Sequence, residues 1–209
     1  MNLLAHNGKR IMLENSQEEV LAKSIATALD KKFERIVVFS GAGMSADSGI
    51  PTFRSGENGL RLEDVLPPAL TNNSFISNTG VALWAPLSNN ADSITLSGNS
   101  ASGNQLNGFV TVGTIAGNVI WDGDDGFPFI VWDDVVVNAN ASLTLTPGTI
   151  VKFRNYYGDL WVYGRLIADT TANAPIYFTS VKDDSLGGDS NADGNASAPA
   201  PNDWSSLRF

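Results

Sequence analysis

Short runs in which apolar and polar residues alternate recur through the second half of the chain. The apolar members of four such runs are Leu143/Leu145, Val151/Phe153, Leu160/Val162 and Ile176/Phe178. Alternation with a period of two buries one face of a β-strand and exposes the other. Pro147-Gly148, between two of the runs, is a turn signal. Short strands that follow one another through turns predict a solenoid, in which each coil packs on the one before it.

The composition of the chain changes near residue 70. Every glutamate, every methionine and the single histidine lie before residue 65, whereas all five tryptophans follow residue 80. Residues 1–70 carry eight basic and nine acidic side chains, and the remainder carries five basic residues and thirteen aspartates, so the net charges of −1 and −8 add to −9. This split predicts a chimeric chain of two pieces, either natural or produced by a fused reading frame or an assembly error. A single domain with a polar half is the alternative.

The acidic composition and the missing residue types exclude several classes of protein. Nucleic acid is not an expected partner, because phosphate binding needs a basic face. The chain has no cysteine, which excludes disulfides, thiolate catalysis and cysteine-ligated zinc. No run approaches the roughly 18 apolar residues of a membrane helix, and the N-terminal MNLLAHNGKR lacks the apolar core of a signal peptide. We therefore expect a cytoplasmic chain without a membrane span.

The first piece predicts a helix, a strand and a glycine loop. Ser16-Gln-Glu-Glu19 forms a capping box, and apolar residues then recur every four positions from Leu21 to Phe33. The apolar run Ile36 to Phe39 predicts a buried parallel strand, and it ends in Gly41-Ala42-Gly43. A glycine turn between a strand and a helix cradles the pyrophosphate of a dinucleotide. The alternative is a tight turn without a ligand.

The string GAGMSADSGIPTFRSGENGL resembles the NAD-binding signature of the sirtuins, the NAD-dependent protein deacylases. The resemblance covers roughly residues 15–65 and implies a small Rossmann-like α/β fragment of helix, strand, glycine loop and helix, with NAD as cofactor. The resemblance implies that the following residues bind NAD: Gly41, Ala42, Gly43, Ser45, Asp47, Ile50, Phe53 and Arg54.

Other sirtuin features have no counterpart in the sequence. No histidine follows the glycine loop to act as general base, no Gln-Asn-Ile-Asp segment is present, and no cysteine can bind the family's zinc. His6 precedes the first helix and matches no family position, so we interpret it as a solvated residue. We therefore expect no catalytic residue and no complete active site, with NAD-dependent deacylation as the alternative that the motif names.

The second piece resembles the right-handed parallel β-helix segments of bacterial secreted and surface proteins. The strings that carry this resemblance are NVIWDGDDGFPFIVWDDVVVNANASLTLTPGTIVKF and GDLWVYGRLIADTTANAPIYFTS. The chain is thus predicted to be mainly β, a partial solenoid preceded by the α/β fragment. We expect a sirtuin-like fragment over residues 1–68, a linker or irregular β-structure over 69–114 and the β-helix over 115–209. Self-association through the open end of the β-helix is the expected hazard.

An acidic loop in the β-helix predicts a metal site. Asp189, Asn191, Asp193 and Asn195 alternate around Gly194 in a D-x-N-x-D-G pattern, the front half of a calcium loop. Position twelve of that loop is Ala200 rather than a glutamate, which excludes a full EF-hand, so Asp183 or Asp184 would supply the missing oxygens. The alternative is a solvated loop between coils.

Aromatic residues predict a second kind of site. With Leu160 and Val162 buried, Trp161 and Tyr163 point outward, and Tyr177 does the same one run later. Exposed aromatic rings on a β-helix face form a platform for sugar rings, which makes a glycan a candidate partner. The alternative is that a loop near residues 183–203 covers them. Three hypotheses follow: a composite of an NAD loop and a structural or binding β-helix, a deacylase, and a carbohydrate-binding or adhesive module.

Overall fold

The computed structural model describes residues 3–6, 9–12, 59–62, 66, 69–90, 92–123 and 126–209. The chain divides into two compact units, residues 1–33 and 34–209. The described part of the first unit is an antiparallel hairpin of β1 (Leu3–His6) and β2 (Lys9–Met12), with Leu3 opposite Met12. The sequence did not predict this hairpin. The expected helix, strand and glycine loop over residues 16–54 lie outside the described residues.

The described part of the second unit is built from short strands. In chain order they are β3 (Leu60–Arg61), β4 (Ala69–Thr71), β5 (Ser74–Ile76), β6 (Leu83–Asn90), β7 (Ile94–Ser97), β8 (Ser100–Ser102), β9 (Phe109–Ile115), β10 (Asn118–Gly123), β11 (Phe129–Val137), β12 (Ser142–Leu145), β13 (Ile150–Phe153), β14 (Leu160–Val162), β15 (Arg165–Ala168), β16 (Tyr177–Ser180) and β17 (Leu207–Arg208).

These strands form a parallel β-solenoid of about four turns. The first sheet has the order β16-β13-β11-β9-β6-β3, and β14 extends it by pairing with β11 and β17. The second sheet has the order β15-β12-β10-β7-β4, and β5 pairs with β8 in a short third sheet. Since every pairing within these sheets is parallel and the chain visits the sheets in turn, each coil hydrogen-bonds to the next. The predicted solenoid is confirmed at this level, and no α-helix occurs in the described residues.

The interior of the solenoid is filled by apolar residues at equivalent positions of successive coils. In the first sheet, Phe109, Phe129, Val151 and Phe178 lie in register. The indole ring of Trp121, from the second sheet, stacks on Phe129 with centroids 4.7 Å apart and 5° between the planes. All of these side chains except Phe178 are fully buried. The period-two alternation in the sequence therefore marks the inner face correctly, because successive strand residues point to opposite faces.

Residues 69–114, expected as a linker or irregular β-structure, contain strands that pair within the same sheets as the later coils. Their asparagines and serines stack between coils. Asn104 Oδ1 accepts bonds from the backbone and side-chain nitrogens of Asn78 at 2.9 and 2.6 Å, and Asn99 Oδ1 bonds Asn73 in the same way. The asparagines that make residues 69–114 polar thus form hydrogen-bonded ladders between the corners of successive coils.

No helix within the described ranges is long and apolar enough to cross a membrane. The turn predicted at Pro147-Gly148 is confirmed between β12 and β13, where Gly148 has a φ of 86°.

Candidate functional site

The longest connection in the later coils contains most of the candidate site. Residues 154–159 connect β13 to β14, whereas residues 181–206 make the equivalent connection from β16 to β17. We call residues 181–203 of this connection the lateral segment. It contains no strand, and several of its residues adopt a left-handed backbone, namely Gly187, Gly188, Ala192, Gly194, Asn195 and Asn202. Such residues let a polar chain fold tightly on itself.

The lateral segment lies against the outer face of the first sheet. Val110, Ile130 and Lys152 are in register on that face, one residue away from the interior positions. Val181 packs in a buried apolar cluster with Val110 and Ile130. A Cβ added to Gly187 would lie 3.4 Å from Ile150 Cδ1, so the backbone of the segment directly covers Ile150.

Lys152 is the polar centre of this contact. Its side chain is fully buried, and Nζ donates to Asp183 O at 2.8 Å, Gly188 O at 3.0 Å and Ser190 Oγ at 2.6 Å. Three acceptors match the three N–H donors of an ammonium group. Burial lowers the pKa of Lys152 to about 8, although the nearby carboxylates of Asp183, Asp184 and Asp189 act in the opposite direction.

Three carboxylates of the lateral segment lie close together. Asp184, Asp189 and Asp193 each place a carboxylate oxygen within 4.8 Å of the others. Asn191 Nδ2 donates to Asp193 Oδ2 at 2.8 Å, so the amide lies beside the cluster. Within the described residues, Asp184 Oδ1 and Asn191 Oδ1 are buried oxygens without a hydrogen-bond partner. Buried acceptors without a donor are costly, and a cation is one group that satisfies them.

The electrostatics of the three aspartates differ. Partial burial, followed by repulsion from Asp189 and Asp193, raises the pKa of Asp184 above its ordinary value. Hydrogen bonds lower the pKa of Asp193, first from the Ser197 hydroxyl and then from the Ala196 backbone and Asn191. A raised pKa beside other carboxylates means that the ionised cluster repels itself, which a bound cation would relieve.

Asp183 belongs to the anchoring contact rather than to the acidic cluster. Burial acts to raise its pKa, but bonds from the Ser185 and Thr179 hydroxyls outweigh burial and lower it. Thr179 Oγ1 donates to Asp183 Oδ2 at 2.8 Å, and the carbonyl of Asp183 accepts from Lys152. Of the two residues that the sequence offered as extra ligands, Asp184 is therefore the one placed with Asp189 and Asp193.

The D-x-N-x-D-G loop is also held by its own hydrogen bonds. Asp189 Oδ1 accepts from Asp193 N at 3.1 Å, and Asp189 Oδ2 accepts from Gly194 N at 3.0 Å. Asn195 is exposed with a φ of 81°, and the nitrogen of Ala200 bonds Asp203 Oδ2. Hydrogen bonds within the loop thus form its first turn and hold Asp189, Asn191 and Asp193 close to one another.

The aromatic residues fall into two places. Trp161 and Tyr163 stack with ring centroids 6.2 Å apart and 18° between planes, and the Arg208 guanidinium lies 4.4 Å from the Trp161 centroid. Tyr177 is on β16, which pairs with β13, whereas Trp161 is on β14, which pairs with β11 and β17. Tyr163 is 64% exposed and Tyr177 37% exposed. The sequence offered a loop near residues 183–203 as a cover for these rings. In the structure, the lateral segment packs against Val110, Ile130 and Lys152.

The residues implied by the sirtuin resemblance, Gly41, Ala42, Gly43, Ser45, Asp47, Ile50, Phe53 and Arg54, lie outside the described residues. The sequence reading also missed Lys152. The sequence did contain a signal for it, because Lys152 is the only charged residue in the apolar run Ile150 to Phe153.

Fold and site together define a parallel β-solenoid with an acidic segment docked on its side. Two curated NAD-dependent protein deacylases of Leptospira interrogans serogroup Icterohaemorrhagiae, from serovars copenhageni and Lai, are each 47% identical to the chain over 49 residues. The match covers 22% of this chain and 20% of each deacylase, so the chain spans about a fifth of the length of these relatives. No protein-family model matches the chain. No solved structure matches it either.

Proposed function

We propose that the chain is a β-solenoid of structural or binding role, joined to a sirtuin-like nucleotide-binding segment that forms no complete deacylase site. The right-handed coiling expected for parallel crossovers and the likeness to secreted and surface β-helices are part of this proposal. The main support is the solenoid itself, whose coils continue through residues 69–114 into the later strands. We propose that its lateral segment binds calcium.

The convergence of Asp184, Asp189 and Asp193 supports the calcium site. Calcium takes six to eight oxygen ligands at about 2.3–2.6 Å, and it tolerates irregular geometry. The carboxylates, together with the partnerless Asn191 Oδ1, supply hard oxygen donors, and the exposed Asn195 is the remaining residue of the proposed set. The ion would offset the repulsion that raises the pKa of Asp184.

Isothermal titration of chelator-treated protein with calcium tests this site. We expect one binding event in the wild type and a loss of at least about tenfold in affinity in Asp184→Asn, because one charged ligand is removed. Asp169→Asn, an exposed aspartate that follows β15 and lies outside the cluster, is the matched control and should bind as the wild type does. Absence of binding in the wild type, or equal affinity in Asp184→Asn, contradicts the proposal.

The 49-residue match to NAD-dependent deacylases, together with the string GAGMSADSGIPTFRSGENGL, supports nucleotide binding by the N-terminal part of the chain. The proposed contacts are the backbone of Ala42 and Gly43 with the pyrophosphate and Arg54 with a phosphate or ribose. Titration with NAD tests binding, with Arg54→Ala as the variant expected to weaken it. Deacylation is the second candidate, favoured by the same match, and release of nicotinamide from NAD with an acetyl-lysine peptide would establish it and overturn the proposal of an incomplete site.

Carbohydrate binding or adhesion is a third candidate, favoured by the stacked pair of Trp161 and Tyr163. Arg208 occupies one side of Trp161, so the open ring surface is that of Tyr163, with Tyr177 on a neighbouring strand as a separate position. A glycan array probed with the wild type and with Tyr163→Ala tests this candidate. Sedimentation velocity over a range of protein concentrations tests the proposed self-association through the open end of the solenoid.

A further inference from the structure

We infer that the lateral segment is a strap, which opens and closes as one unit over the outer face of the first sheet while the coils beneath it stay folded. Lys152 is its latch. The inference concerns the hydrogen bonds and packing of the segment and does not depend on calcium binding.

The two ends of the strap are tied to each other. Lys182 Nζ lies 2.6 Å from Asp203 Oδ1, and Asp203 Oδ2 accepts from Ala200 N at 2.8 Å. The strap also replaces a connection that takes six residues, 154–159, in the preceding coil. The strap contains no strand, and its backbone bonds β13 at its first residue, from Val181 N to Phe153 O at 3.0 Å. The residues after Val181 can therefore move without breaking a strand pairing of the solenoid.

The strap docks through a small set of polar contacts. Lys152 Nζ makes its three bonds to residues 183–190, and Asn107 adds two more, from its backbone nitrogen to Ser190 O at 2.8 Å and from Nδ2 to Asp189 O at 2.7 Å. These bonds join the strap to β13 and to the residues just before β9, so losing them together releases its middle. The one ammonium group carries more of the bonds than any other side chain described in this contact.

Closure and opening are balanced by opposing effects. Closing buries Ile150, Val110 and Ile130 and favours the docked strap. It also takes a full positive charge out of water, which is costly unless every N–H is bonded. A half-open groove of ≈ 190 Å³ lies between the strap at Gly187 and Gly188 and the coils at Asn107 and Pro128, so water reaches this edge of the docked strap. Solvent access at the edge and a buried charge both lower the free energy of local opening relative to global unfolding.

Hydrogen–deuterium exchange of the full chain in the presence of a chelator tests the inference. In the wild type, we expect amides of residues 181–203 that are bonded in the docked state to exchange through an opening at least about tenfold more frequent than that of β11 and β13. Lys152→Met should accelerate exchange of the strap by about tenfold or more and leave β11 unchanged. Arg165→Met, which removes an exposed charge from β15, is the matched control and should change neither.

Two outcomes overturn the inference: equal protection of the strap and β11 in the wild type, or strap exchange that Lys152→Met leaves unchanged. If Lys152→Met fails to fold, Ser190→Ala provides the same comparison, because it removes one acceptor of the latch and leaves the lysine in place. The expected result is then a smaller acceleration confined to residues 181–203.

Discussion

Lys152 lies on the outer face of the first sheet and binds the segment that docks there. Its neighbours in register are Ile130 and Thr179, so its methylene groups lie between an isoleucine and a threonine while Nζ reaches the carbonyls of the strap. Long basic side chains often bury their stems and direct their charge to polar partners. A lysine in an apolar strand is therefore compatible with complete burial where a second segment brings acceptors.

The depressed pKa of Lys152 predicts a pH dependence of stability. Its value in the folded chain is about 8, against 10.5 for a solvated lysine, because burial disfavours the charged form. Between these values the unfolded chain binds more protons, so the free energy of unfolding should rise as the pH increases from about 8 to about 10.5. The groups facing Lys152 are Asp183, Asp184 and Asp189, and carboxylates do not titrate in this range.

Urea unfolding at pH 8 and pH 10 measures this effect. The difference between the wild type and Lys152→Met isolates the lysine, since both proteins share every other titrating group. A difference that stays constant or falls with pH would contradict the assignment.

Gly164 illustrates a residue whose role is set by close approach of the backbone. A Cβ at this position would meet the carbonyl oxygens of Ala141 and Asn138, at the corner between β14 and β15. We expect Gly164→Ala to reduce the free energy of unfolding by about 1–3 kcal/mol through overpacking against backbone. Gly158→Ala is the control, because its Cβ would make ordinary contacts of 3.5 Å or more and should cost little. Thermal or urea denaturation of the two variants compares them.

At the scale of elements, asparagine ladders hold the corners of the early coils. Asn104 is 2% exposed; it accepts two bonds from Asn78, and its Nδ2 donates to Phe75 O at 2.8 Å and Asn107 Oδ1 at 2.9 Å. The same arrangement one corner earlier joins Asn73 and Asn99. Each ladder satisfies backbone groups at a turn where strand pairing stops, as buried polar groups require.

Asn104→Ala tests the ladder at the element scale. We expect a loss of about 2 kcal/mol or more in the free energy of unfolding, because buried donors and acceptors of Asn78 and Phe75 lose their partner. Asn140→Ala, in an exposed turn, should change stability by less than about 0.5 kcal/mol. Equal effects of the two substitutions would show that the corner ladder contributes nothing specific.

At the scale of the whole molecule, stability should depend on the position of a coil within the stack. Each coil contacts its neighbours, so an interior coil supports two interfaces and a terminal coil one. Phe129 lies between Phe109 and Val151 in the interior ladder and stacks on Trp121, whereas Phe178, in the last strand of the ladder, is half-buried. The two phenylalanines therefore provide a matched pair within one row.

We expect Phe129→Ala to reduce the free energy of unfolding by about 3–5 kcal/mol, the range for a fully buried aromatic residue. Phe178→Ala should cost clearly less, since its ring already contacts solvent. Chemical denaturation monitored by circular dichroism measures both. A larger effect at Phe178 would mean that the terminal coil is covered in solution by another surface.

The sequence predicted the solenoid wherever the alternation of apolar and polar residues is enough to identify a strand and its buried face. Alternation from Leu143 to Phe178 identifies the inner face, because the side-chain period of a strand is two whatever its partner. The same rule fails for residues 69–114, where ladder-forming asparagines and serines resemble those of a linker. Whether Asn104 is solvated or bonded to Asn78 depends on a coil 26 residues earlier in the chain, and local pattern carries no such information.

The candidate metal site also depends partly on local sequence and partly on tertiary contacts. The sequence by itself determined that Asp189, Asn191 and Asp193 lie in one loop, because their spacing and Gly194 specify a local turn. The tertiary structure alone decided that Asp184 joins them, that Asp183 is engaged by Thr179, and that the whole segment docks on Lys152. The physical reason is that loop ligands are set by neighbours within a few residues, whereas docking depends on which face of a distant strand is left uncovered.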